Sequence, residues 1–111
     1  MAYDERLAAR VREALEGEPS VSEKRMFGGL AFMIGGNLAI AASHRGGLMI
    51  RVDPADADGL MAQTPATQIE MRGRPMPGWL YLQASDVATK RSVARWVGLA
   101  ANYTRSLPVK K

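Results

Sequence analysis

The chain has 111 residues, 47% of them apolar and 23% charged, with no cysteine and a formal net charge of +4. That length suits one domain with one core, and the balance lies far from the low-hydrophobicity, high-charge range in which chains stay unfolded. The lack of cysteine excludes disulfides, thiolate metal sites and cysteine nucleophiles and makes a reducing cytoplasm the simplest location, while Asp4, Glu5 and Arg6 with no apolar run behind them argue against a signal peptide or membrane span.

Tyr3, Leu7, Val11 and Leu15 recur every four residues, with arginines and glutamates mostly opposite, which predicts an amphipathic first helix stopped by Gly17 and Pro19. From about Lys24 to Ile34 the chain reads as one long strand interrupted by Gly28-Gly29, a place for a bulge, a sharp bend or the close approach of another backbone. Gly35-Gly36 reads as a two-residue hairpin turn, Leu38 to Ala41 as a strand, and Ser43 to Gly47 as a longer turn. In the next strand Leu48, Ile50 and Val52 alternate with Met49 and Arg51, so one face points inward and Arg51 lies on the open or partly covered face.

Asp53-Pro54-Ala55-Asp56 opens a short second helix with an N-cap carboxylate, a proline in the first helical position and an acid in the first turn. Thr67 to Arg72 alternates as a half-exposed strand, Gly73 to Gly78 reads as a loop, and Trp79 to Gln83 as a further strand. Ser85 is expected to cap a long last helix that buries Val93, Trp96, Val97, Ala100 and Tyr103. The order α-β-β-β-α-β-β-α predicts an α+β domain over residues 1–106, an antiparallel sheet of about five strands with helices packed on it, followed by a flexible basic tail at 107–111.

The candidate chemistry is sparse. His44, the single histidine, sits in a glycine-rich turn, so no histidine-based metal cage is available, and no Gly-x-Ser-x-Gly elbow supports a catalytic triad. Asp53, Asp56 and Asp58 before Gly59 fail the calcium-loop register, which would put Pro54 and Pro65 in ligand positions. The glycine pairs lack the spacing of a nucleotide loop. No metal, cofactor or catalytic residue is expected.

The basic residues are the remaining candidates. Residues 1–23 hold six acids against three bases, residues 24–63 three against four, and residues 64–111 two against eight. Arg25, Arg51, Arg72 and Arg74 are candidate ligand or partner contacts, able to hold a small anionic molecule if they share one groove. Lys90, Arg91 and Arg95, with Lys24 beside Arg25, are the alternative: a phosphate-facing patch that binds nucleic acid directly, a reading not favoured because no aromatic ladder or helix-turn-helix pattern accompanies it.

Arg25-Met26-Phe27-Gly28-Gly29, the Gly35-Gly36-Asn37 hairpin, the strand ending in Arg51-Val52-Asp53 and the aromatic strand Trp79-Leu80-Tyr81-Leu82 together resemble the N-terminal domain of the TfoX (Sxy) family. Met26, Phe27, Gly28 and Gly29 are the sharpest part of that resemblance and form its structural motif. The resemblance implies the same helix and strand order in a stand-alone, single-domain member. Named members are similar to regulators of natural competence that act in transcription, and no catalytic residues come with them. The expectation is therefore a non-enzymatic, cytoplasmic interaction module with a protein partner such as the transcription machinery, no membrane association, and a homodimer as one way to cover the edges of a small open sheet.

Overall fold

In a computed structural model, residues 3–26 and 28–110 are described. Helix α1 (Glu5–Ala14) begins where the Asp4 carboxylate accepts the backbone N–H groups of Arg6 and Leu7, at 2.9 and 3.2 Å. It buries Leu7, Ala8 and Val11, with Leu15 just beyond it. Strands β1 (Val21–Met26), β2 (Gly29–Ile34), β3 (Asn37–Ala42) and β4 (Leu48–Arg51) form a meander, followed by helix α2 (Pro54–Gln63) and strands β5 (Thr67–Met71) and β6 (Arg74–Leu82). A 3-10 turn (Ala84–Val87) leads to helix α3 (Lys90–Arg105). The described strands make one six-stranded antiparallel sheet in the order β1-β2-β3-β4-β6-β5, so the expected α+β class holds with one strand more than about five.

The extra strand comes from the glycine pair. Lys24 to Ile34 is two strands rather than one bent strand, because Met26 pairs with Gly29 and Gly28, just before it, has φ of 76°. Gly29 serves a second need, since a Cβ on it would collide with the Ala42 carbonyl of β3. Phe27 lies outside the described residues. The Gly35-Gly36 turn is as expected, with both residues at positive φ and Ile34 paired with Asn37.

Two further boundaries differ. Of the stretch Gly73 to Gly78 read as loop, all but Gly73 is strand: Arg72-Gly73 makes the tight β5–β6 turn, and β6 starts at Arg74. Its prolines fit because β4 pairs with β6 only from Trp79 to Leu82, so Pro75 and Pro77 lie where β6 has no second neighbour to need their missing N–H groups. Ser85 does not cap the last helix. Thr89 does, in a reciprocal box with Ser92, while Asp86 closes the preceding 3-10 turn by accepting the Gln83 N–H at 3.1 Å.

One face of the sheet carries the core. Leu30, Phe32, Ile40, Leu48, Ile50, Leu80 and Leu82 are buried on it with Val11 of α1 and Val93, Trp96, Val97 and Ala100 of α3. Tyr103, read as part of the buried stripe, is only half-buried. Three ion pairs among the described residues tie the helices down: a two-point Arg12–Glu23 fork from α1 to β1, Lys90–Glu13 from α3 to α1, and Arg105–Glu18 from the end of α3 to the loop after α1. Asn37 Nδ2 donates to the Pro108 carbonyl and the Lys110 N–H to the Gly35 carbonyl, both at 2.8 Å, so residues 108–110 lie along the β2–β3 turn.

Trp96 is 3% exposed, and its truncation to alanine is expected to cost on the order of 3 to 5 kcal/mol in denaturant unfolding. The Glu18 carboxyl is held below its ordinary range by its hydrogen bonds from Arg105, against a smaller upward push from burial. A depressed carboxyl stabilises the fold above its unfolded pKa and loses that contribution as the pH falls through the folded one. Arg105→Gln should therefore be less stable than the parent at neutral pH, with the gap closing below about pH 4 in chemical-denaturation curves.

Candidate functional site

Residues of a strand alternate between the faces of a sheet, so the buried row obliges its neighbours to form the opposite face. Pairing links Lys24 to Ala31, Ala31 to Ala41, Ala41 to Met49 and Met49 to Tyr81 in one row across five strands. Trp79 and Met26 belong to this second face by the same alternation, and Leu38 joins it, opposite Met33, through the register shift between Phe32 and Met33; all three are half-buried. Alanine at positions 31 and 41 leaves the middle of the row low, between the longer side chains of Lys24 and Met49.

The far wall is made by the β5–β6 ribbon. Its register shifts between Gln68 and Glu70, and across the gap Gln68 Nε2 donates to the carbonyls of Met76 (2.6 Å) and Trp79 (3.2 Å) in place of regular ladder bonds. Such an irregularity bends and twists a ribbon. Ile69, Met71 and Met76 then line the same hollow as Met26, Leu38, Ala41, Met49 and Trp79, a groove of about 420 Å³ with Ser43, His44, Arg45 and Glu70 at its margin. Four of the seven methionines of the chain are in it.

The aromatic rings of this face carry cations. The Arg45 guanidinium lies 4.9 Å from the Tyr81 ring centroid and that of Arg51 lies 5.3 Å from Trp79; Arg51 also stands 5.8 Å from the ring of Tyr103, which belongs to α3 in the helix layer. Tyr81 packs over Gly47, where a Cβ would strike both its ring and the Leu82 carbonyl. What the groove offers is thioether, alkyl and indole surface with positive charge at its edge.

The sequence-derived arginines do not meet in one pocket. Arg25 is exposed on edge strand β1, paired with Leu30 and so on the helix-covered side. Arg51 is on the open face near the middle of the sheet, and Arg72 and Arg74 are exposed at the tip of the β5–β6 hairpin beside the other edge. Arg72 is itself in a left-handed conformation, φ 53°. Lys90 is paired with Glu13 at 2.8 Å, while Arg91 and Arg95 line a separate recess of about 320 Å³ between α3 and the end of α2. The groove itself, and the roles of Gln68 and Arg45 in shaping it, escaped sequence reasoning. Its only trace there was the alternation of Leu48, Ile50 and Val52 with Met49 and Arg51, and of Ile69 and Met71 with Gln68, Glu70 and Arg72.

The molecule is thus an α+β domain with one helix-covered and one open sheet face, the open one grooved and apolar. The family described as TfoX N-terminal domain matches residues 4–103, nearly the whole chain, and the chain belongs to that family. No curated protein and no solved structure matches it. Among the described residues, no helix is long and apolar enough to cross a membrane.

Gly47→Ala should cost about 1 to 3 kcal/mol by forcing Tyr81 off the turn. The check is equilibrium unfolding alongside near-ultraviolet circular dichroism, in which the tyrosine environment changes before the helix signal does.

Proposed function

We propose that the chain is a non-enzymatic, cytoplasmic interaction module of the regulator type, tied to transcription, that receives a protein partner in the groove on its open sheet face. The observation that carries this reading is the groove itself: an apolar hollow of about 420 Å³ on a sheet face that no helix of the described chain covers. An exposed apolar hollow bordered by polar groups fits a protein contact. Methionine suits it, because its unbranched and polarizable side chain adapts to the shape of what binds. Membership of a family resembling regulators supports the same reading.

The two alternatives have less behind them. An anionic small molecule would need Arg25, Arg51, Arg72 and Arg74 to converge, and they occupy opposite edges, the centre and both sides of the sheet. For nucleic acid, Lys90 is already neutralised by Glu13, and Arg91 and Arg95 stand on the helix layer, apart from the hairpin-tip arginines.

The test compares proteins retained from cell extract by the immobilised parent, by Met49→Glu, and by the double variant Arg91→Ala, Arg95→Ala. Retention lost with Met49→Glu and kept with the double variant is the expected outcome. Nuclease-sensitive retention lost only in the double variant would replace this reading with nucleic-acid binding.

A further inference from the structure

We infer that the occupant of the groove is an acidic amphipathic helix, an inference that rests on the reading of the groove as a partner-binding surface. The first step concerns the backbone. An extended segment gains affinity by pairing with a strand edge, where free N–H and C=O groups are on offer. The floor of the groove, Leu38, Ala41, Met49 and Trp79, lies on the inner strands β3, β4 and β6, where side chains present thioether, alkyl and indole groups and the backbone groups are engaged in ladders on both sides, while the edge strands β1 and β5 supply only its margins. A segment laid there must satisfy its own backbone, and among regular structures a helix does so alone. Such a helix would stand to this face as α1 and α3 stand to the other, completing a layered arrangement of helices on both sides of the sheet.

The second step is charge. Arg45 lines the groove, Arg51 lies against Trp79 in its wall, and Arg72 and Arg74 flank the hairpin tip beside Met71, which is 51% exposed. Lys24 is on the same face two residues from Met26. Against these five cations the margin holds one acid, Glu70. All three ion pairs found among the described residues belong to the helix layer and use Glu13, Glu18 and Glu23, leaving these five cations without a carboxylate. A second copy of this chain would bring a like-charged rim against this one, which disfavours it, whereas a helix with acidic flanks and leucine or phenylalanine along one stripe complements both floor and rim.

The experiment uses the whole chain with its methionine methyl groups labelled for NMR. Three synthetic peptides are titrated, each of about 16 residues, a length that as a helix spans about 24 Å, five strand spacings. One is an acidic amphipathic helix with leucine at every third or fourth position, one is its charge-reversed twin, and one is a scrambled acidic peptide of the same composition. The expected result is saturable movement of the Met26, Met49, Met71 and Met76 methyls with the acidic helix, and affinity about tenfold above the charge-reversed twin at low salt, the rim pairs being individually weak but additive. Arg72→Glu with Arg74→Glu should remove most of that preference without unfolding the chain, since both side chains are exposed.

Equal binding of the two charged helices, or of the scrambled peptide, would overturn the inference, as would failure of all three to move the four methyls. Movement of those methyls with protein concentration alone would replace it with a dimer. In any of these cases, groove-dependent retention of a protein from extract still stands as the test of the broader reading, so the two can fail separately.

Discussion

The row Phe32, Ile40, Ile50, Leu80 is the constraint on which the rest depends. These four residues are paired side by side across β2, β3, β4 and β6, and each is wholly buried beneath the helices. With a side-chain period of two, a slip of one residue in any of those strands would turn its apolar set to the other face, so burial of this row holds the register of the whole sheet. Everything on the open face follows from it. Met49 lies between Ile50 and Leu48, and Trp79 and Tyr81 flank Leu80, so packing against α3 decides which residues are left to line the groove.

Charge is divided between the two faces in a way that complements this. The acidic first part of the chain supplies the carboxylates of the three ion pairs, and its partners come from α1 and α3. Pairs of this kind, half exposed, add little stability each. Their larger effect is on distribution: acids are consumed on the helix layer, and the open face keeps its arginines. Of these, Arg45 and Arg51 lie over aromatic rings, which keeps the guanidinium near the apolar surface while leaving it able to meet an anion.

The shape of the groove depends on irregularity. A regular β5–β6 ribbon would continue the sheet outward. The register shift at Gln68, bridged by its own amide, and the prolines on the free side of β6 let the ribbon depart from the plane and bring Ile69, Met71 and Met76 to the hollow. Gly47 and Gly29 act at the Leu82 end of the sheet by admitting Tyr81 and the Ala42 carbonyl where a side chain would not fit.

From sequence, the helices, most of the strands and their inward faces were legible, because local periodicity and capping chemistry report on them directly: Leu7 and Val11 at helical spacing, Leu48 and Ile50 at strand spacing, Asp53-Pro54 at a helix start. Boundaries that depend on competition between neighbours were not. Ser85 and Thr89 are both good caps, and only the packing of Val87 and Val93 selects the second. Gly28-Gly29 allows a bulge or a turn, and the position of Ala42 decides it. The residues of the groove were visible singly, but their assembly depends on which strands pair and in what order. β6 inserts between β4 and β5, so Trp79 meets Arg51 across 28 positions of sequence. Sequence by itself determined an α+β domain with one apolar sheet face and an uneven charge. Tertiary structure alone decided that the other face is hollow and that its rim is basic, because both follow from long-range pairing that no local pattern encodes.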